Sequence, residues 1–161
     1  MPKTQDKKND GVYIKNIAQN RKARHDYEII DSWEAGIELT GTEVKSLRLG
    51  KINIADSFAE IYKGQIWLKN LHISPYEQGN RFNHEMTRTR RLLMHKKEIA
   101  YLFRQTNRQP LTLIPLSVYF KKQYVKIQIG LCRGLKKYDK RQKIAEEESK
   151  RRLAALKKMR A

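Results

Sequence analysis

The chain has 161 residues and a formal net charge of +18, with a pI near 10.1 and 39% hydrophobic composition. This size and composition predict one hydrophobic core, and the charge favours a polyanionic partner such as nucleic acid. No apolar stretch approaches the length of a spanning helix, which excludes insertion into a membrane. The single Cys132 excludes an internal disulfide, and the polar opening residues lack a secretory signal, so we expect the reducing cytoplasm.

The first predicted elements follow a polar leader. Residues 1–12 are predicted to be disordered because they contain little to bury. Residues 27–39 are rich in Ile, Tyr and Trp, which predicts two short strands or one bent strand with Gly36 as the kink.

A helix and a hairpin come next. The pattern after residue 40 predicts a short helix that Thr42 caps and Gly50 ends. Apolar residues then alternate with polar ones on both sides of Lys63 and Gly64, a dipeptide suited to a tight turn. This pattern predicts a β-hairpin over residues 57–73.

The middle of the chain combines a polar loop with a second helix. Residues 75–91 are broken by proline and glycine and end in three arginines, so we expect a long loop that could meet phosphate. In residues 95–107, Ile99, Leu102 and Phe103 recur at helical spacing, which predicts a helix.

Two further strands complete the body. Residues 111–120 change their apolar phase at Pro115, which indicates a bulge or an edge, and residues 124–130 alternate cleanly. The body, residues 13–132, thus has about six strands and a few short helices, mainly β, and a small antiparallel barrel is the preferred architecture over a sandwich.

The tail, residues 133–161, has twelve basic and four acidic residues and thus a net charge of +8. Three glutamates at 146–148 stand four residues before Lys150, Arg151 and Arg152, an arrangement that supports a helix. These pairs are worth only about 0.2–0.5 kcal/mol each, which scarcely offsets helix nucleation. We therefore expect a free tail that is largely disordered and becomes helical on a surface.

The sequence does not indicate catalysis. His25, His72, His84 and His95 are spaced too irregularly for a paired helical metal motif, and Cys132 follows a strand pattern and reads as a small core residue. No glycine-rich phosphate loop is present. We expect no metal, no cofactor and no enzymatic activity.

Several basic clusters suit RNA instead. Each alone could be an ordinary solvated surface, but on one small barrel they favour a continuous RNA-binding face of phosphate donors beside aromatic rings. The basic candidates are Arg21, Lys22, Arg24, His25, Lys45, Arg48, Arg88 and Arg90.

Residues 37–61, IELTGTEVKSLRLGKINIADSFAEI, closely resemble the signature region of the SsrA-binding protein (small protein B) family, which partners transfer-messenger RNA in bacterial ribosome rescue. Other blocks follow in that family's order, among them NRKARHDY, NLHISPYEQGN, RTRRLLMHKKEI, LTLIPLSVYFKKQYVKIQIGL and YDKR. The resemblance covers nearly the whole chain from Ile17 onward. It implies an oligonucleotide/oligosaccharide-binding (OB) type barrel that binds the elbow of the tRNA-like domain.

Site residues carry over where the blocks match. Asn20, Glu34 and Leu93 correspond to positions associated with the RNA contact, with core packing as the alternative role of Leu93. The family's tail is associated with the ribosomal decoding centre and the empty mRNA channel. The corresponding tail residues here are Lys136, Lys137, Tyr138, Asp139, Lys140, Arg141, Ile144, Lys150, Arg151, Arg152 and Met159.

The resemblance predicts a non-enzymatic adaptor that delivers transfer-messenger RNA to stalled ribosomes, with elongation factor Tu and the ribosome as further partners. Two alternatives stay open at this point. A general basic ribosome-associated protein or RNA chaperone would bind structured RNA without preference. An RNA-processing enzyme would need a catalytic cluster, which the sequence lacks.

Overall fold

The computed structural model describes residues 13–135 and 137–159, but not the side chains of residues 80–82 and 137–140. The described residues form nine β-strands, four α-helices and a 3-10 helix. The strands are β1 (Ile14–Gln19), β2 (Tyr27–Ile37), β3 (Ile52–Asn53), β4 (Phe58–Tyr62), β5 (Gln65–Lys69), β6 (His72–Ile73), β7 (Arg90–Leu93), β8 (Leu111–Lys121) and β9 (Tyr124–Gly134). The helices are α1 (Arg21–Asp26), α2 (Gly41–Arg48), α3 (Lys96–Arg108) and α4 (Lys137–Met159), with the 3-10 helix at Glu77–Phe82. The predicted disordered leader, residues 1–12, lies outside the described residues.

Six strands pair in a closed antiparallel ring in the order β8, β4, β5, β7, β2, β9 and back to β8. β4 pairs with the first half of β8, at Leu113, while β1 pairs with the second half, from Ser117 to Lys121. The predicted mainly-β barrel is therefore confirmed. The predicted number of strands was too low, because β1, β3, β6 and β7 are short or polar and give little alternating signal.

The barrel interior is filled by alternate residues of its strands. Ile127, Ile129 and Leu131 of β9 are each at most 2% exposed, as expected where one strand face is buried. α3 adds Ile99 and Leu102 to this core, whereas Phe103, predicted on the same face, is 48% exposed. The buried stripe of α3 is thus narrower than its apolar pattern suggested.

A second, smaller cluster lies outside the barrel, where Ala23 of α1 packs with Ile114, Leu116 and Cys132 of β8 and β9. The register shift beside Pro115 confirms the predicted bulge in β8. A Cβ at Gly130 would lie 2.8 Å from a methyl carbon of Leu116, so a larger residue there would require Leu116 to shift. Together these residues fix α1 on the outer face of β8 and β9.

The turns follow their predicted chemistry with two corrections. Gly50 ends α2 at a φ of +70°, and Lys63 and Gly64 form the hairpin turn, as predicted. However, Thr40 and not Thr42 is the residue before α2, and the irregularity in β2 falls between Ile29 and Asp31 and not at the predicted kink. β2 is therefore a single strand with a bulge.

The tail folds as the helix α4, from Lys137 to Met159. A helix as its ordered form is thus confirmed, while disorder in the free protein stays a prediction. β9 continues to Gly134, so the body extends beyond the predicted boundary at residue 132. Among the described residues, no helix is both long and apolar enough to cross a membrane.

Candidate nucleic-acid interface

Glu34 and Leu93 come from different strands but share the outer face of the barrel. Gly36 of β2 pairs with Leu93 of β7 on one side and with Lys126 of β9 on the other, and Lys126 pairs with Tyr119 of β8. Because residues two apart on a strand point to the same face, Glu34 lies beside this row. Leu93 is 48% exposed, which excludes the alternative of core packing.

Glu34 is held by donors from β8, which reach it across the intervening strand β9. The Tyr119 hydroxyl donates to Glu34 Oε2, and Lys121 Nζ donates to Oε1 at 3.2 Å. Partial burial raises the pKa of Glu34, but the bonds from Tyr119 and Lys121 and the charge of Lys126 outweigh it and leave the pKa below its ordinary value. We call Glu34, Leu93, Tyr119, Lys121 and Lys126 the outer-face patch. It combines a fixed carboxylate, two cations and an exposed apolar side chain, which together suit the edge, backbone and face of an unpaired nucleotide.

Asn20 lies beneath the surface and not on it. Its side chain is 1% exposed, accepts from the Ala23 N–H at 3.0 Å and donates to the Pro115 carbonyl at 3.1 Å. A direct RNA contact of Asn20, which the family resemblance implied, is therefore contradicted by this structure, because its polar atoms are buried and already have protein partners. Asn20 instead caps the N-terminus of α1 and sets the position of that helix.

The basic residues of α1 are exposed, as predicted. Arg21, Lys22, Arg24 and His25 surround the buried Ala23, on the outer face of the same strands that carry the outer-face patch. Lys22 Nζ lies 3.1 Å from Asp56, so its charge is partly used within the protein. α1 therefore extends a basic surface along β8 and β9.

The predicted arginines of residues 88–90 serve a different purpose. Arg90 is fully buried and its guanidinium contacts the carboxylate of Glu43, which is also fully buried. Arg90 also donates to the Leu71 carbonyl at 2.7 Å, and Arg88 reaches the other oxygen of Glu43 at 2.6 Å. The prediction that Arg90 contacts RNA is therefore wrong, because Arg90 forms an ion pair in the core. Arg88 also pairs with Glu43, and its side chain is only 35% exposed.

Lys45 and Arg48 line a shallow groove of about 340 Å³ between α2 and the 3-10 helix. Lys45 Nζ lies 5.4 Å from the centroid of the Tyr76 ring, and Arg48 lies over Phe120 at 6.0 Å. The side chain of Phe120, beneath Arg48, belongs to the barrel core and not to the outer face. The structure does not bring these two cations into the outer-face patch.

The tail residues divide between described and undescribed positions. Lys136 lies outside the described residues, and Lys137, Tyr138, Asp139 and Lys140 are described only as backbone of α4. The other predicted tail residues are exposed, namely Arg141, Ile144, Lys150, Arg151, Arg152 and Met159. Lys143, which the sequence analysis missed, donates to the Tyr27 carbonyl at 3.2 Å and to the Arg24 carbonyl. Glu147 lies 3.9 Å from His25, so the start of α4 contacts α1.

Within the described ranges, no group of three or more His, Cys, Asp or Glu side chains is placed to hold a metal ion. Burial raises the pKa of the Cys132 thiol to about 11, against a smaller opposing effect of Lys143. A buried thiol of this kind is a poor nucleophile at neutral pH.

Comparison with known proteins places the chain in a family. The model of the SmpB protein family matches residues 17–159. The chain belongs to the SmpB family. It is 59% identical over 139 residues to the SsrA-binding protein of Carboxydothermus hydrogenoformans, covering 86% of this chain and 93% of the relative. It is 53% identical over 140 residues to the SsrA-binding protein of Bacillus cytotoxicus, covering 87% and 90%.

A solved structure agrees with the SmpB assignment. The structure described as "tmRNA-SmpB: a journey to the center of the bacterial ribosome" is similar with a TM-score of 0.64 and 49% identity, covering 74% of this chain and 85% of the other. The SmpB match extends through the barrel and α4, so both parts belong to the family unit.

In this SmpB protein, the sequence identified Glu34 and Leu93 but not the residues that connect them. Tyr119, Lys121 and Lys126 alternate on two adjacent predicted strands, and pairing those strands as a hairpin would have placed them on one face. Their connection to β2 could not be read from local pattern, because it depends on the closure of the barrel.

Proposed function

We propose that this protein is an RNA-binding adaptor that binds the tRNA-like domain of transfer-messenger RNA and delivers it to stalled ribosomes for trans-translation. The observation that carries this proposal is membership of the SmpB family over residues 17–159. Relatives named SsrA-binding proteins and a similar structure whose description names tmRNA and the bacterial ribosome support it.

In this proposal the barrel binds transfer-messenger RNA. The outer-face patch supplies Glu34 and Leu93 for an unpaired base and Lys121 and Lys126 for phosphate, and α1 extends the basic surface. Protein donors already fix the carboxylate of Glu34, so it needs little reorganisation on binding.

The tail enters the decoding centre and the vacant mRNA channel. Its +8 charge suits a channel walled by ribosomal RNA, and its cations lie on an exposed helix. Elongation factor Tu would join through the aminoacylated RNA. The cytoplasm, where ribosomes work, is the implied compartment.

The protein acts without catalysis or a cofactor. Membership of the SmpB family supports this part of the proposal, because the similar relatives are named SsrA-binding proteins.

Competition binding tests this function. The full chain is bound to labelled transfer-messenger RNA at physiological salt and challenged with unlabelled transfer-messenger RNA or with duplex RNA of equal length. We expect the duplex to compete at least roughly tenfold more weakly, since phosphate contacts alone do not distinguish the two RNAs. Equal competition would support a general RNA chaperone and contradict the adaptor.

A variant pair adds a test of the surface. Glu34→Gln keeps the shape of the side chain but removes its charge, so we expect weaker binding of transfer-messenger RNA. Thermal unfolding should change little, because the pair with Lys121 is exposed. Glu60→Gln is the matched control, because Glu60 pairs with Lys69 at 2.8 Å on β4 and β5, opposite β2 and β9 in the ring. Equal affinities of the two variants would remove Glu34 from the interface.

A further inference from the structure

The tip of the β8–β9 hairpin carries two exposed residues, Lys122 and Tyr124, that belong neither to the RNA-binding candidates from the sequence nor to the outer-face patch. Lys121 pairs with Tyr124 across the tip, and Tyr124 is 63% exposed. A large aromatic side chain with so much of its surface in water gains little from folding. Its position at the end of a proposed RNA-binding surface calls for a binding role.

Tyr124 is continuous with the outer-face patch. Because residues two apart on a strand share a face, Tyr124 and Lys126 lie on the outer face of β9, and Tyr119 and Lys121 lie opposite them on β8. Lys121 reaches Glu34 of β2 at 3.2 Å. The surface thus runs without interruption from Leu93 to the hairpin tip.

The segments that form the tip carry only positive charge. Residues 13–19 and 117–128, which form β1, the end of β8 and the start of β9, contain four lysines and no acidic residue. A second ring, Tyr13, is 71% exposed and lies at the same tip, where the Lys122 N–H donates to its carbonyl at 2.9 Å. Exposed rings among lysines suit unpaired nucleotides, whose bases stack on the rings while their phosphates meet the cations.

The position of Lys122 supports this role. Its φ is +57°, a left-handed conformation that glycine adopts more readily than a residue with a Cβ. The tight turn between β8 and β9 accounts for this conformation, and Lys122 is exposed at the tip, where its charge is available to a phosphate.

We propose that Tyr124 and Lys122 form a stacking site for unpaired bases of the bound RNA, with Tyr13 as a second ring. This inference rests on the proposed function, because it extends the same RNA surface. Tyr124 stacks on a base that is not paired within the RNA, and Lys122 contacts an adjacent phosphate. The site selects RNA with a looped-out or single-stranded segment beside the segment that meets Glu34 and Leu93.

The other hairpin of the barrel provides matched controls. Tyr62 is also 63% exposed, and the adjacent Lys63 has a φ of +49°. This hairpin joins β4 and β5, which lie opposite β2 and β9 in the ring. Tyr62 and Lys63 thus reproduce the exposure, chemistry and backbone strain of the proposed site away from the outer-face patch.

The first experiment measures the affinity of the full chain for transfer-messenger RNA over a range of salt concentrations. Tyr124→Ala should weaken binding roughly 5- to 150-fold without changing the salt dependence, because it removes stacking and no charge. Tyr124→Phe should bind like the unaltered chain, since the ring face is kept. Tyr62→Ala should also bind normally.

The second experiment separates function from stability. Lys122→Gly relieves the strained conformation, so its unfolding temperature should stay the same or rise, while its affinity falls and its log–log salt slope decreases by roughly 0.7–0.9. Lys63→Gly should show the same stability change with normal affinity. A Lys122→Gly variant with normal affinity would contradict the phosphate contact.

Glu34→Gln distinguishes the two proposals. If Glu34→Gln weakens binding while Tyr124→Ala does not, the stacking site is wrong and the adaptor function stands. If the unaltered chain does not prefer transfer-messenger RNA over duplex RNA, the proposed function itself fails.

Discussion

Glu43 is a buried carboxylate whose charge is compensated from three directions. It accepts from the Thr40 N–H at 2.9 Å and contacts the guanidinium groups of Arg88 and Arg90. Burial raises the pKa of Glu43, but the bonds from Thr40, Arg88 and Arg90 outweigh this effect and lower the pKa below its ordinary value of 4.5. This network joins α2 to β7 and explains why an arginine-rich segment forms a strand.

Replacing Glu43 should destabilise the barrel strongly. Glu43→Gln leaves the buried charge of Arg90 without a counter-charge, so we expect the free energy of unfolding to fall by about 3–5 kcal/mol in chemical denaturation. Glu60→Gln, which breaks the exposed pair with Lys69, should cost no more than about 1 kcal/mol. Equal effects of the two variants would show that the buried network is not important for stability.

The same carboxylate predicts a pH dependence. A group whose pKa is lower in the folded state contributes stability above its unfolded pKa, and this contribution is lost as the pH falls through the folded pKa. The unaltered chain should therefore lose stability below about pH 4.5 more steeply than Glu43→Gln. Parallel stability curves in acid would contradict the lowered pKa of Glu43.

Asn20 should act through the position of α1. Asn20→Ala removes the cap and the donor to Pro115, so we expect a loss of about 0.5–2 kcal/mol from the cap alone and reduced RNA affinity. Asn20→Asp keeps the acceptor for the Ala23 N–H but loses the donor to the Pro115 carbonyl. Its stability should lie between those of the unaltered chain and Asn20→Ala. Unchanged unfolding of Asn20→Ala would contradict the capping role of this side chain.

At the scale of elements, the sequence pattern predicted the helices, turns and bulges that depend on neighbouring residues in the chain. The β4–β5 hairpin, the helix after Thr40 and the bulge at Pro115 follow from turn residues, capping and the geometry of proline. α1 and β7 were missed because their stability comes from distant residues. α1 has only six residues and depends on the outer contacts of Ala23, and β7 depends on Glu43.

The same distinction holds for the candidate site. Exposed Glu34 and Leu93 were identified through a family resemblance, whereas the buried states of Asn20 and Arg90 were not visible in sequence. A buried arginine needs a specific partner, and only the closed ring brings Arg90 to Glu43.

The contact between α4 and α1 should depend on Lys143. Its ammonium group donates to carbonyls at the end of α1, which have no partner within the helix. This contact makes the start of α4 an exception to the predicted disorder of the free tail, so we expect slow amide hydrogen exchange there. Exchange should be faster in Lys143→Ala but not in Lys150→Ala. An absence of slow exchange in the unaltered chain would show that this contact does not order the free tail.

At the scale of the whole molecule, the barrel and the tail both carry a net positive charge. The tail holds +8 of the total +18, and none of its described residues from 144 to 159 is buried. The barrel has its own closed core and its own basic surface, so it should fold and bind RNA without α4. The tail, in contrast, has no core of its own and gains most from a polyanionic surface.

A truncation separates these roles. Since β9 runs to Gly134, the chain should be ended after Leu135, whose N–H donates to the Asp26 carbonyl at 3.1 Å and so belongs with the body. We expect the truncated chain to keep its cooperative unfolding and most of its affinity for transfer-messenger RNA, but to fail in tagging peptides on stalled ribosomes in a reconstituted assay. A full-length chain with Lys150, Arg151 and Arg152 replaced by Gln is the control that retains the helix but loses charge, and it should tag poorly. Normal tagging by the truncated chain would exclude a role of α4 on the ribosome. Loss of RNA affinity with intact folding would show that the main RNA site lies in the tail and not in the barrel.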